Sequence, residues 1–226
     1  MSDFENKVVL ITGAAGALGQ AVVEYFAVRG ARPAQLDIVA IDNEHYSATC
    51  DLTATDSCKA VVADVVTTLG SVDVLANIAG GFAMGETVHM TSDNTWNFLM
   101  GLNAESVLNM ARVVVPQMLS QGGGKIVNIG AGAGLKGAPH MGAYSASKAV
   151  VIRLTEAMSG ELKARNINVN CILPSIIDTP RNREDMPDAD FNTWVTPEAM
   201  AEVVGFLASD ASAAVHGVAL PVNGLS

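Results

Sequence analysis

Short apolar runs alternate with stretches of helical spacing along most of the chain. The first run, Val8-Val9-Leu10-Ile11, gives way to glycines and then to a helical pattern over residues 18–28. There Val22, Tyr25 and Phe26 recur at helical intervals, and Gly30 supplies the stop. Residues 34–37 read as a second strand and 47–50 as a third, weakly patterned one. The segment between them leaves little room for a helix, whereas a full crossover takes a dozen or more residues. The alternation then becomes regular. A helix is predicted over 55–69, with Asp56 near its start, and a strand over 72–77. A long helix follows over 93–119, with Ala104, Val107, Leu108 and Ala111 on one face. Next come a strand at 125–129, a second long helix at 143–165 and a strand at 167–173. Thr196-Pro197-Glu198 opens another helix with an N-cap threonine and a first-turn proline, and 218–222 reads as the last strand. The expectation is an α/β fold: a doubly wound parallel sheet of about seven strands with helices on both faces, the helix between strands 2 and 3 being shortened or absent. No repeat, low-complexity tract or linker interrupts it, so residues 1–226 are expected to form a single domain.

Composition narrows the function. Half of the 226 residues are hydrophobic, 16% are charged and aromatics are scarce, which suits a sheet buried on both faces. A formal charge of −10 argues against nucleic acid and anionic membrane as partners. Cys50, Cys58 and Cys171 show neither metal-ligand spacing nor an even disulfide framework, so no metal is expected and a reducing, cytoplasmic setting is inferred. The N-terminal residues lack the basic and apolar regions of a secretory signal. No apolar run is long enough to predict a membrane span.

Two groups of residues carry candidate chemistry. Thr12-Gly13-Ala14-Ala15-Gly16-Ala17-Leu18-Gly19 lies where a strand ends and a helix begins. Glycines there let the backbone turn tightly and approach a pyrophosphate at the positive helix end. Asp37, at the tail of the second strand, can accept hydrogen bonds from ribose hydroxyls and repels a 2′-phosphate, so NAD(H) is favoured over NADP(H). This is the pattern of a Rossmann-type dinucleotide site. Farther along, Tyr144 and Lys148 stand four residues apart, one turn of a helix. An ammonium held near a phenol lowers the phenol pKa, and a tyrosine tuned in this way can exchange a proton near neutral pH. In isolation such a pair is more often a solvated lysine covering a ring.

Taken in order, the glycine turn, Asp51, Asn77-Ile78-Ala79-Gly80, Asn103, Tyr144-x-x-x-Lys148 and Pro174…Thr179 resemble the short-chain dehydrogenase/reductase family over nearly the whole chain. The resemblance implies an NAD(H)-dependent oxidoreductase acting on a small carbonyl or quinonoid substrate. By the same resemblance Gly13, Gly16, Leu18 and Gly19 would cradle the dinucleotide. Asp51 and Leu52 would meet the adenine, and Ala79 and Gly80 would line the ribose beside Asn77, which steadies the sheet. Pro174 and Thr179 would meet the nicotinamide carboxamide. Tyr144 would be the general acid/base, Lys148 would bind ribose and lower the tyrosine pKa, and Asn103 would hold a relay water from a locally distorted helix, unless it is an ordinary helical asparagine. The two long helices would pair across a two-fold axis, giving a homodimer or homotetramer.

Three departures stand out. The family pattern places glycines at what would be 13, 17 and 19, but here the middle one is Gly16. The helix between the second and third strands looks deleted. The family's substrate-binding serine falls on Ala131, and from Gly130 to Gly142 only Lys136 and His140 carry side-chain donors. Loss of such a donor costs about 10²-fold or more in rate. Either the substrate needs a single proton donor, or another group substitutes, or the protein is an NAD-binding regulatory or scaffold protein with weak or lost catalysis. The glycine spacing, the alanine and the run from Asp178 to Trp194 are similar to dihydropteridine reductase-like members of the family, whose quinonoid dihydropterin substrate needs little polarisation. Ala131, His140, Met186 and Trp194 are the candidate pocket residues. Met186, Phe191 and Trp194 could form a lid or simply pack. Arg181 and Arg183 could attract an anion or solvate their loop, and His140 could line the entrance or sit on the surface.

Overall fold

The computed structural model describes residues 4–225. All seven strands join one parallel sheet in the order β3-β2-β1-β4-β5-β6-β7. They are β1 (Val8–Thr12), β2 (Arg32–Asp37), β3 (Tyr46–Thr49), β4 (Val74–Asn77), β5 (Gly124–Ile129), β6 (Ile167–Pro174) and β7 (Ala219–Val222). The chain runs outward from β1 to β3 and then returns to β4 on the other side of β1. The switch point therefore lies between β1 and β4, where open α/β sheets bind ligands at the carboxyl ends of their strands.

Alternate residues of the strands feed two cores. On one face Val9, Ile11, Ala76 and Val127 pack with Val22 and Phe26 of α1 (Ala17–Ala27) and with Met200, Val204 and Leu207 of α7 (Pro197–Ala208). On the other, Leu10, Leu36, Leu75 and Ile126 pack with Val62 and Val65 of α2 (Thr55–Leu69) and with Met110, Val114 and Met118 of α4 (Ser106–Gln121). A third cluster joins Val151 and Ile152 of α5 (Gly142–Leu162) to Cys171 and Leu173. Each fully buried side chain such as Phe26 contributes about 1.5–3 kcal/mol.

β2 is longer than its pattern predicts and takes in Pro33, although it lies inside the sheet. Arg32 N–H donates to Lys7 O at 2.8 Å on the β1 side, so the Pro33 nitrogen faces the other way. β3 pairs only from Ala34 onward, so the missing N–H falls where no partner strand runs. Residues 38–45 form no helix, as the short spacing predicts. In place of a covering helix, buried Gln35 exchanges two side-chain hydrogen bonds with Asn43, at 2.8 and 3.2 Å.

The predicted helix 93–119 is broken into α3 (Asp93–Leu99), a π-helical turn (Met100–Glu105) and α4. As a continuous rod, Asp93–Gln121 is long and apolar enough to cross a membrane. Half of its apolar window is buried against α2, α5 and the sheet, which is the place of a core helix. A short helix that the periodicity does not predict, α6 (Pro180–Asp185), starts at Thr179, whose hydroxyl oxygen accepts the Asn182 N–H at 3.2 Å.

Candidate active site

The glycine turn bridges β1 and α1. Gly13 has φ +67°, and a Cβ there would meet the Ala79 backbone at 2.8 Å; a Cβ on Gly19 would overlap the Gly13 carbonyl oxygen. Gly16 has φ −73°, and a Cβ there would stand 3.5 Å from the Gly13 carbonyl oxygen, so the backbone does not demand a glycine at the displaced middle position. No side chain caps α1 at Gly16. The first-turn N–H groups, the tight glycine path and the helix dipole together make a cradle that fits the pyrophosphate of a dinucleotide.

Asp37 stands beside this turn. Its Oδ2 accepts the Ala15 N–H at 3.0 Å and its Oδ1 accepts the Val39 N–H at 3.3 Å, so the predicted ribose-selecting carboxylate also braces the phosphate loop. Thr12 Oγ1 accepts the N–H groups of Ile78 and Ala79 at 3.1 and 3.2 Å, tying the end of β1 to the Asn77–Gly80 segment. Asn77 Nδ2 donates to Asn128 Oδ1 at 2.8 Å, and Asn128 Nδ2 donates to Thr155 Oγ1 at 2.9 Å, a buried polar chain across β4, β5 and α5. Asp51 is exposed. Its bonds from the Thr53 hydroxyl (2.7 Å) and N–H (2.9 Å) hold its carboxyl below the usual carboxylate range. Leu52 is buried, and its carbonyl accepts Asn109 Nδ2 at 2.9 Å. A cavity of about 570 Å³ opens between Ala17 and Gln20 on one side and Asp178–Pro180 on the other, with Thr179 at its mouth, while Leu18 is buried in the core beside it.

Three polar side chains converge at Gly80 and Gly81. Asn103, in the π turn, accepts the Gly81 N–H at 2.8 Å through Oδ1. Through Nδ2 it donates to Gly81 O at 3.0 Å and to Ser147 Oγ at 2.9 Å. A Cβ on Gly80 would lie 3.0 Å from Asn103 Oδ1 and 3.2 Å from Lys148 Nζ. Lys148 Nζ donates to Ile129 O at 3.0 Å at the end of β5. Burial pushes the Lys148 pKa down to about 8, partly opposed by the neighbouring Cys171 thiol. Tyr144 opens the same helix, with the Phe82 ring standing edge-on to it at 4.9 Å.

One expectation is corrected here. Burial pushes the Tyr144 pKa up to about 12, and Lys148 does not lower it. The ammonium is turned to the Ile129 carbonyl and to Gly80. Tyr144 is therefore protonated at neutral pH.

The pocket residues divide. Ala131 is buried at the end of β5 and presents only a methyl group. His140 has φ +62° and is fastened to the opposite loop: its carbonyl accepts the Gly85 N–H at 2.9 Å, and its Nδ1 lies 3.1 Å from Gly85 O. Trp194 is 6% exposed and tilted against Phe191 at 4.8 Å, which is packing and not a free lid; Met186 is half-buried. Arg183 is bound to both oxygens of Asp178 at 2.6 and 2.7 Å, and Arg181 to Asp185 at 2.9 Å, so both cations are already paired. Pro174 ends β6 and is buried. The sequence reading missed Ser147, Phe82 and Thr12. Ser147 could have been found, since it lies one turn from Tyr144 on the same helix. Nothing in the sequence marks Phe82.

A dinucleotide cradle at the switch point of a parallel sheet, with a protonated phenol and a buried amine beyond it, defines a nicotinamide-dependent oxidoreductase. A model of the short chain dehydrogenase family matches residues 7–190, and the chain belongs to the short-chain dehydrogenase/reductase family. It is 36% identical to a 3-oxoacyl-[acyl-carrier-protein] reductase FabG of Thermotoga maritima, over 97% of each chain. It is 34% identical to a probable galactose dehydrogenase GalD of Rhizobium meliloti, over 98% of this chain and 95% of the other. Among solved structures, the aldohexose dehydrogenase of Thermoplasma acidophilum superposes with a TM-score of 0.91 at 27% identity, covering 99% of this chain and 95% of that one. An NAD+-bound xylitol dehydrogenase superposes at 0.89 and 28%, covering 98% and 99%.

Proposed function

We propose that this single-domain enzyme uses NAD(H) to reduce or oxidise a small carbonyl or quinonoid compound, with Tyr144 as the proton donor and acceptor. The observation that carries this reading is the convergence on Gly80 of Asn103, from the π turn, and Lys148, one turn along α5 from Tyr144. A bound nicotinamide dinucleotide supplies the hydride. Gly13, Gly16, Leu18 and Gly19 hold its pyrophosphate, Asp37 takes ribose hydroxyls and disfavours a 2′-phosphate, Asp51 and Leu52 flank the adenine, and Thr179 with Pro174 borders the nicotinamide end. Lys148 holds the second ribose. Tyr144, protonated at neutral pH, donates its phenolic proton to the substrate oxygen or nitrogen, and Lys148 and Asn103 lead the replacement proton inward.

Ala131 shapes the substrate choice. With a methyl group where the family serine would stand, the acceptor carries its own activation, as an electron-poor quinonoid ring such as a dihydropterin does. The exposed Phe82 ring beside Tyr144 suits a flat acceptor. The exposed Trp96 of α3 and Leu108 of α4, on the first of the two long helical segments, support a homodimer or homotetramer. The three free, buried cysteines fit a cytoplasmic enzyme. NADH oxidation against quinonoid dihydropterin, quinones and a panel of carbonyls tests the reading. Tyr144→Phe should lower turnover by about 10²-fold or more while NADH binding is retained. Unchanged turnover in that variant would remove Tyr144 from the chemistry.

A further inference from the structure

A second cavity, of about 530 Å³, lies at the amino ends of β4, β5 and β6, the opposite end of the sheet from the catalytic cleft. Three of the chain's six lysines, Lys7, Lys125 and Lys163, line it, together with His216, in a protein of net charge −10. Two carboxylates share the wall. Asp73 is already engaged: its Oδ2 accepts the Val8 N–H at 2.8 Å and the Ser71 hydroxyl at 2.9 Å, and its Oδ1 lies 3.5 Å from Lys7 Nζ. Asp210 acts on Lys125 only through space.

Lys125 is the anomaly. It is half-buried at the start of β5, and its Nζ makes one bond to the protein, to Asn168 Oδ1 at 2.9 Å. Asn168 is itself buried, and its Nδ2 is turned to the carbonyls of Ala213 and Val215 at 3.1 and 3.0 Å, which fixes Oδ1 toward the lysine. An ammonium has three donors, so two remain unspent. Among the described residues neither Lys125 nor Lys163 forms an ion pair. Lys125 thus carries a partly desolvated charge whose nearest carboxylate, Asp210, acts on it only through space, and an oxyanion in the cavity would meet it directly.

We propose that this cavity is a binding site for a small multivalent oxyanion of the phosphate class, anchored by Lys125 and closed at its rim by Lys163 and Lys7. Lysine suits this role as a point-charge phosphate ligand. The cavity is large enough for a diphosphate or a small phosphorylated compound.

Inorganic pyrophosphate is the probe, titrated calorimetrically into the full chain in excess NADH, with potassium chloride of equal ionic strength as the blank. Saturable binding is expected. Lys125→Gln should weaken it about tenfold or more, the loss of one charge-assisted hydrogen bond. Lys163→Gln should weaken it several-fold, and Lys59→Gln, at an exposed position of α2, should leave it unchanged. No binding, or binding that Lys125→Gln and Lys163→Gln leave intact, would overturn the proposal and place any pyrophosphate effect elsewhere on the protein. Should Lys125→Gln fail to fold, the exposed Lys163→Gln decides alone.

Discussion

Lys148 offers a test of the site that requires no substrate. Its ammonium is buried, and its pKa falls from 10.5 to about 8. At about 1.4 kcal/mol per pH unit, that fall corresponds to about 3 kcal/mol of destabilisation by the charged form. The sign follows from proton counting. Between pH 8 and 10.5 the unfolded chain holds this proton and the folded chain does not, so stability rises with pH across that window. Below pH 8 both states are protonated and the full penalty is present. Tyr144, pushed up to about 12, acts in the opposite sense from pH 10 upward, where the unfolded phenol ionises first and stability falls. Urea unfolding of the wild type and of Lys148→Met, from pH 7 to 10, isolates the lysine. The wild-type curve should gain on the variant by up to about 3 kcal/mol as pH rises, most of it between pH 8 and 10. Parallel curves would show that Lys148 is not held as a desolvated amine, and the proposed ribose and relay role would lose its physical basis.

The glycine turn yields a paired test. Gly13→Ala should destabilise the fold by at least about 1–2 kcal/mol, because it forces a left-handed residue against the Ala79 backbone, and should weaken dinucleotide binding. Gly16→Ala, with φ −73° and room for a Cβ, should leave unfolding within about 0.5 kcal/mol of wild type. Asp37→Asn keeps an oxygen for the Ala15 N–H but removes the charge; kcat/KM for NADPH relative to NADH should rise about tenfold, and an unchanged ratio would assign selectivity to another residue.

The sheet was legible because its strands are short apolar runs punctuated by glycines and helical spacing. The missing helix after β2 was legible from simple chain length. Pro33 inside β2 was not, since its tolerance depends on where β3 begins to pair. α6 escaped because its six residues carry no apolar period, only the Thr179 cap and Pro180. At the site, residue types and order pointed to Tyr144, Lys148 and Asn103. The direction of the Lys148 ammonium could not be read, because it depends on the Ile129 carbonyl of a distant strand. His140 was placed at the pocket entrance by its nearness to Tyr144 and Trp194 on a lid or in packing; the hydrogen bonds to Gly85 make the first a clasp between loops, and burial against Phe191 gives the second its packing.

The turn that carries Asn103 holds one more residue than an α-helix would give it. Side chains before and after it are consequently out of phase by about 100°. Deleting a single residue from this turn would restore a regular and intrinsically easier rod, yet it would swing Trp96 and Phe98 around the axis and pull the Asn103 amide from Gly81. The protein thus keeps an irregularity whose backbone cost is offset by the hydrogen bonds of Asn103 to Gly81 and Ser147. That makes the register of this helix the quantity that sets where the Asn103 amide stands.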